Sequence, residues 1–322
     1  MEPTSQIKEV KALALELGFT SCGVARAERI DPSYAAAFHA WIDEGRHADM
    51  AYMQNHADKR LDPRLLLDGA KSVVCVALNY YPKQLLDRSQ LQFAYYAYGH
   101  DYHDVMCDRL RRLATALGWE EGRGDAKLCC DTVPMLDRYW AWRAGLGWIG
   151  RNKNLILPQH GSYFFLGEII TTRVFDHYDE PIANRCGTCD RCLQACPTGA
   201  LTQNADGQTT LDARRCLSYL TIEHRGELPD EAASAMGNCI YGCDRCQQAC
   251  PHNRNARPTE VGDFEPTDDF LHMQPSDWQQ LSPEQYRHLF RGSAVKRAKY
   301  EGLRRNIDAV GTTHSDDAHD EE

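Results

Sequence analysis

Cys186-Gly-Thr-Cys189-Asp-Arg-Cys192-Leu-Gln-Ala-Cys196-Pro197 decides how the rest of the chain is read, and Cys239-Ile-Tyr-Gly-Cys243-Asp-Arg-Cys246-Gln-Gln-Ala-Cys250-Pro251 echoes it. Three thiolates with two-residue spacers, then a fourth followed by proline, form the ligand run of bacterial ferredoxins. Short spacers let one loop wrap three corners of an iron–sulfur cubane, and the next turn carries the fourth Cys towards a second cluster. Zinc is the competing reading, since paired C-x2-C knuckles bind it tetrahedrally. A zinc knuckle needs neither the third Cys nor the Cys-Pro step, and here the pattern occurs twice. The spacing predicts two [4Fe-4S] clusters.

Crossing over assigns Cys186, Cys189, Cys192 and Cys250 to one cluster and Cys196, Cys243 and Cys246 to the other. Three residues separate Cys239 from Cys243, too many for the tight wrap. The eighth ligand is therefore Cys216 or Cys239, and spacing does not choose between them.

A chain of 322 residues has room for two or three domains and a sizeable core. Its 14 Cys would suggest disulfides in a small secreted protein. Residues 1–10 lack an apolar signal core, however, and no segment reaches membrane-spanning length. Cluster thiolates also need a reducing compartment, so the expected location is the cytoplasm, with no membrane partner. The net charge of -10 speaks against a nucleic-acid partner only on average. Asp316, Asp317, Asp320, Glu321 and Glu322 form an acidic tail of disordered composition. Just before it, Arg287, Arg291, Lys296, Arg297, Lys299, Arg304 and Arg305 are either a solvated helix face or a phosphate-binding patch.

Towards the amino terminus, Ile7, Val10, Leu13, Ala14 and Leu17 mark a helix that Gly18 ends. A short strand is expected over 19–24, a helix over 34–45 and a buried strand over 71–80. An amphipathic helix follows over 103–117. Strand signals return at 126–133 and 163–174, with a helix around 135–144 between them. This alternation indicates an α/β or α+β domain across the first 175 residues. Gly145-Leu-Gly147-Trp-Ile-Gly150 matches the dinucleotide fingerprint, which needs a strand before it and a helix after it. Here the order is reversed, so a turn where backbone approaches closely is the better reading.

Two cubanes in series move electrons singly, and a pure ferredoxin needs little beyond the segment that holds them. The amino-terminal domain must therefore hold a second redox centre or the acceptor, yet no flavin, haem or molybdenum motif is evident. From the residues alone, the chain is an iron–sulfur oxidoreductase with an unidentified acceptor. Five strings carry the reading further: Cys130-Asp131-Thr-Val-Pro134, Arg143-Ala-Gly-Leu-Gly-Trp-Ile-Gly150, Gly161-Ser-Tyr-Phe-Phe-Leu-Gly167, Cys216-Leu-Ser-Tyr-Leu-Thr-Ile-Glu-His224 and Tyr241-Gly-Cys-Asp-Arg-Cys246. On these the chain resembles the epoxyqueuosine reductases, cobalamin-dependent relatives of the reductive dehalogenases.

The resemblance implies an α+β fold. A nitroreductase-like, reductive-dehalogenase-like cobalamin domain is expected over 1–175 and a ferredoxin-type two-cluster module over 176–260. A basic helical segment over 261–312 would contact tRNA, ahead of the acidic tail at 313–322. The implied reaction reduces the epoxide of epoxyqueuosine, at the wobble position of a tRNA anticodon stem-loop, to queuosine. Electrons would come from a donor such as flavodoxin or ferredoxin, through the clusters, to cobalamin. The family's proposed proton donor aligns with Asp131. A free Asp, with a pKa of about 3.9, is ionised at neutral pH, so that role requires burial beside cobalamin. The competing reading of Asp131 is a strand-end turn residue.

Arg138 aligns with a family Arg near the substrate. The resemblance also makes Cys216 the eighth ligand and Cys239 a spare thiol. It sets Ser218, Thr221, Ile222 and Glu223 against cobalamin, with Arg151, Asn152, Lys153, Asn154 and Leu155 and the backbone of Cys246 and Gln247. Arg60 and Tyr102 fall where the family has further cobalamin contacts. Tyr95, Tyr96 and Tyr98 either stack on a ring or belong to the core. His100 and His103 are expected in polar surface roles, because the family holds cobalamin without a protein His below the metal. Better-known members continue into helical repeats that help to bind tRNA. Here the sequence turns acidic after Gly311, so the basic stretch is expected to do more. Two other readings compete: a cobalamin-dependent reductive dehalogenase, usually exported with a twin-arginine signal absent here, and a plain electron-transfer protein.

Overall fold

The computed structural model describes residues 6–204 and 207–316, with side chains up to residue 311. Its centre is a four-stranded sheet of β1 (Ser21–Arg26), β2 (Ser72–Asn79), β3 (Ala126–Cys129) and β4 (Phe164–Thr171). The order is β1-β2-β4-β3, and every neighbouring pair is antiparallel. All of β2 except Asn79 is buried, because helices cover both faces of the sheet. Val74, Val76 and Leu78 join one core with Ile7 and Val10 of α1 (Gln6–Glu16) and Leu110 and Leu113 of α3 (Tyr102–Ala116). Val73, Cys75 and Ala77 face the other way, towards Phe38 of α2 (Pro32–Asp43) and Tyr139 and Trp140 of α4 (Asp137–Arg143). The amino-terminal domain is thus α+β rather than α/β.

Two expected strands end elsewhere. Phe19 belongs to the turn after α1, where its N–H caps Ala14 O at 3.1 Å, and β1 starts at Ser21. β3 stops at Cys129, because Asp131 takes a left-handed φ of 53° that leaves the ladder. The glycine-rich string forms the turn anticipated for it. Gly145 follows α4 with φ 72°, and a Cβ on Gly147 would lie 2.2 Å from Ile156 O across the hairpin of Trp148–Ile149 and Leu155–Ile156. Backbone approach, not a dinucleotide, accounts for these glycines.

In the second half, α5 (Arg191–Gln194), α6 (Leu217–Ile222) and α7 (Arg245–Gln248) sit among the Cys residues, and α8 (Lys299–Asp316) closes the described chain. One core gathers Leu217, Leu220 and Ile240 with Trp278, Leu303 and Ile307, and it takes in Phe93 and Tyr98. The expected boundary between 260 and 261 is therefore no boundary of packing: the last helices bury their apolar faces on the cluster module. Part of the basic stretch needs the same correction. Arg305 donates to the carbonyls of Leu220, His224 and Gly226 at 2.8–3.1 Å, and Arg304 to those of Trp278 and Gln279. Arg297 grips Glu223 through two bonds of 2.9 and 2.8 Å. Arg287, Arg291, Lys296 and Lys299 remain exposed. Residues 317–322 of the acidic tail lie outside the described residues.

Candidate active site and cluster-binding region

The ligand-run thiols fall into two groups. Cys192 faces Cys186 and Cys250, and Cys250 faces Cys186 and Cys189. Cys216 faces Cys196 and Cys243, and Cys246 faces all three of these. Cys216 reaches its group because Cys216 immediately precedes α6, which packs beneath the second run. Cys239 is held differently: its thiol donates to Gly242 O at 2.8 Å, behind Cys243. Among the described residues, no three His, Cys, Asp or Glu side chains are drawn together as a single metal ion would require.

Next to the second group opens a cavity of about 2240 Å³. A drug-sized ligand fills only about 300–1,000 Å³. Cys196, Cys216, Cys243 and Cys246 line this cavity, and none of the first group does. Only the second group therefore stands at the wall.

Asp131 lines the same cavity, exposed, at the left-handed turn after β3. The Tyr102 hydroxyl donates to its Oδ2. Tyr102 is fixed by stacking on Phe165, with ring centroids 4.3 Å apart and planes 4° from parallel. Burial, and then the Asp131 charge, raise the Tyr102 phenol above its ordinary pKa, which keeps it a donor. Arg138 is exposed on the cavity wall. Arg60 lines it too, but its guanidinium braces the carbonyls of Met135 at 3.2 Å and Tyr52 at 2.7 Å.

The hairpin loop contributes Arg151, Asn152, Lys153, Asn154 and Leu155 to the wall. Arg151 is tied to Gly187 O at 2.9 Å and Lys153 to Thr209 O at 3.1 Å. Burial lowers the Lys153 ammonium pKa. Asn152 is 5% exposed, and its Nδ2 has no partner. Ser218, Ile222, Glu223, Cys246 and Gln247 also line the cavity, with Gln247 anchored by Ser162 at 2.9 Å and Asp244 at 3.1 Å. Thr221 corrects the expectation for α6. It is fully buried away from the wall, and its hydroxyl donates to Leu217 O and accepts from Gly242 N–H, so the side chain clasps α6 to the second Cys run.

Other expectations divide. Tyr98 is core and Tyr95 packs against it, whereas Tyr96 reaches the cavity. His100 is exposed, but His103 lines the cavity, bonded to Asp101 at 2.7 Å. Sequence reasoning missed Asp137, which lines the cavity, and Glu168, which is buried beneath it. Burial, then the Asp131 charge, pushes Asp137 up to about 7, and burial with Asp137 holds Glu168 well above the carboxylate range. Nothing marked Asp137 beyond a first-turn helix acid. Glu168 was legible as a charge inside an apolar strand.

A ferredoxin-like thiol module that fronts a large cavity with an acid on its wall defines an iron–sulfur oxidoreductase. Comparison with known proteins narrows the class. A 4Fe-4S double cluster binding domain matches residues 185–253, and the "Epoxyqueuosine reductase QueG, DUF1730" family model matches residues 60–132. The epoxyqueuosine reductase of Leadbetterella byssophila is 45% identical over 300 residues, covering 93% of this chain and 96% of that protein. That of Pseudomonas aeruginosa is 36% identical, covering 96% and 86%. A crystal structure of epoxyqueuosine reductase with a tRNA-Tyr epoxyqueuosine-modified stem loop superposes with a TM-score of 0.85 at 30% identity, covering 97% of this chain and 82% of that one. The Bacillus subtilis enzyme, with its catalytic aspartate loop swung out of the active site, superposes at 0.84 with the same coverage. The chain belongs to the epoxyqueuosine reductase family, enzymes of queuosine tRNA modification. Among the described residues, no helix is long and apolar enough to cross a membrane.

Proposed function

We propose that the chain reduces the epoxide of epoxyqueuosine at the wobble position of tRNA with cobalamin seated in the cavity and Asp131 as proton donor. One observation carries this reading: the second thiol group and the Tyr102–Asp131 pair line a single cavity. Cys186, Cys189, Cys192 and Cys250 hold one [4Fe-4S] cluster, and Cys196, Cys216, Cys243 and Cys246 hold the other. The thiol-only donor set suits such clusters. The cavity also fits a large polar cofactor, since it has the volume for a corrin and a nucleobase and an orphaned donor at Asn152. Bound there, a corrin supplies a low-potential cobalt centre for reducing an electrophilic carbon.

The chain's own residues do the rest. The hairpin loop, with Ser218, Ile222, Glu223 and the Cys246–Gln247 backbone, forms the cofactor cradle, and Arg60 stiffens the segment before α4. Tyr102 points the Asp131 carboxyl into the cavity, where it hands a proton to the departing oxygen. The related enzyme's stem-loop complex supports an RNA stem-loop as the partner here. Arg138, Arg151 and Lys296 on the cavity wall supply cationic groups for its phosphates, against the overall charge of -10. A small low-potential redox protein of the flavodoxin or ferredoxin class, in the cytoplasm, provides the electrons. A plain electron-carrier role leaves the cavity and its acid unexplained.

The test is anaerobic reconstitution with iron, sulfide and cobalamin, followed by incubation with epoxyqueuosine-bearing stem-loop RNA and a low-potential reductant. Nucleoside analysis should show queuosine. Iron loading without corrin uptake or conversion overturns the proposal.

A further inference from the structure

Reducing an epoxide to an alkene consumes two electrons and two protons. Both carbon–oxygen bonds break, the carbon–carbon double bond forms, and the oxygen leaves as water. Asp131 holds at most one of those protons at a time, and a second acid store stands behind it. Glu168, within β4, is 0% exposed, and its carboxylate oxygens meet no donor except the carboxyl of Asp137. Asp137, at the start of α4, lines the cavity, faces both Glu168 and Asp131, and has its own Oδ1 buried without a partner. Two carboxylates have no hydrogen to offer each other. One proton between them supplies the missing donor and removes one of two buried charges.

We infer that Asp137 and Glu168 form a buried acid pair that stores one proton and passes it, through Asp137, to the Asp131 carboxylate once Asp131 has protonated the departing oxygen. Asp131 then delivers this second proton, and water leaves. The two electrons are those of the family's reduction. Both residues act through Asp131 and are positioning residues for the proton. The inference rests on the donor role proposed above for Asp131.

The surroundings suit storage near neutral pH. Cys75 of β2 and Cys129 of β3 pair with Glu168 across the ladder. Asp131 and Cys130 face the pair from the loop after β3 and Tyr102 from α3, while Arg138 and Arg60 are the facing cations. Burial, with the Asp131 charge next, raises Asp137 above the ordinary carboxylate range, towards the pH at which an acid both keeps and releases its proton.

Glu168→Gln keeps the shape and removes the acid. In reconstituted holoenzyme acting on the modified stem-loop RNA, kcat should fall by at least about tenfold and the alkaline limb of the pH profile should move, with KM, iron content and corrin uptake unchanged. Infrared spectra of the unsubstituted protein should show a protonated buried carboxyl band that persists at neutral pH and that Glu168→Gln lacks. A superimposable pH profile with kcat within about twofold overturns the proposal, as does absence of the band. If Glu168→Gln does not fold, the band in the unsubstituted protein decides. Retained turnover in Asp131→Asn would instead sink the donor reading itself. An inactive Asp131→Asn beside an unchanged Glu168→Gln profile sinks only the acid pair.

Discussion

Asp131 holds its place through one backbone torsion and one hydrogen bond. Its φ of 53° is a conformation that Asn also tolerates, so Asp131→Asn preserves the turn while removing the acid. Turnover should drop by roughly 10²–10⁴-fold, the usual worth of a general acid, while cobalamin uptake measured by visible absorption stays unchanged. Asp137 makes a second prediction, about stability. Its folded-state pKa of about 7 lies above the ordinary Asp value, so its stabilising contribution is complete at acid pH and is lost as pH rises through about 7. Thermal unfolding followed from mildly acid to mildly alkaline pH should show Tm falling, and Asp137→Asn should flatten that fall. Neither acid was recognisable from its neighbours in the chain as part of a pair. Asp137 looks like any first-turn acid, and only the register that sets Glu168 beside Cys75 and Cys129 turns it towards α4.

Among the elements, β2 and α3 were plain in the sequence because burial on both faces, or on one stripe, writes its period directly into the residues. The direction of strand pairing was not. A strand covered on both faces is uniformly apolar whether its partners run parallel or antiparallel. α8 shows the opposite limit. Its arginines looked like an RNA-facing surface, yet Arg305 satisfies three carbonyls around α6, including that of Leu220. Arg305→Ala should therefore destabilise the fold by about 1.5–3 kcal/mol in urea unfolding, and leave the salt dependence of RNA binding unaltered. Arg138→Ala and Lys296→Ala should do the reverse. Each should leave stability intact and reduce the slope of log K against log salt by about 0.7–0.9.

For the molecule as a whole, the two thiol groups differ in place, since only Cys196, Cys216, Cys243 and Cys246 line the cavity. Cys216→Ser should cut bound iron to about half, whereas Cys239→Ser should leave it whole, as measured on anaerobically reconstituted protein. On the function proposed above, Arg138, Arg151 and Lys296 on the cavity wall would meet RNA phosphates despite the net charge of -10, because phosphates respond to the local field rather than the sum.

By itself, the sequence determined the two-cluster module. Five of the thiolates sit in short loops whose reach depends only on spacers of two residues, so Cys186 to Cys192 and Cys243 to Cys246 announce themselves without tertiary help. The tertiary structure alone decided which acids meet, which arginines are spent on carbonyls, and that Thr221 turns from the wall while Cys216 joins its distant partners. Those outcomes join residues far apart in the chain. They arise from apolar faces of helices and strands finding cover on one another, and such packing leaves no local period for a polar partner to display.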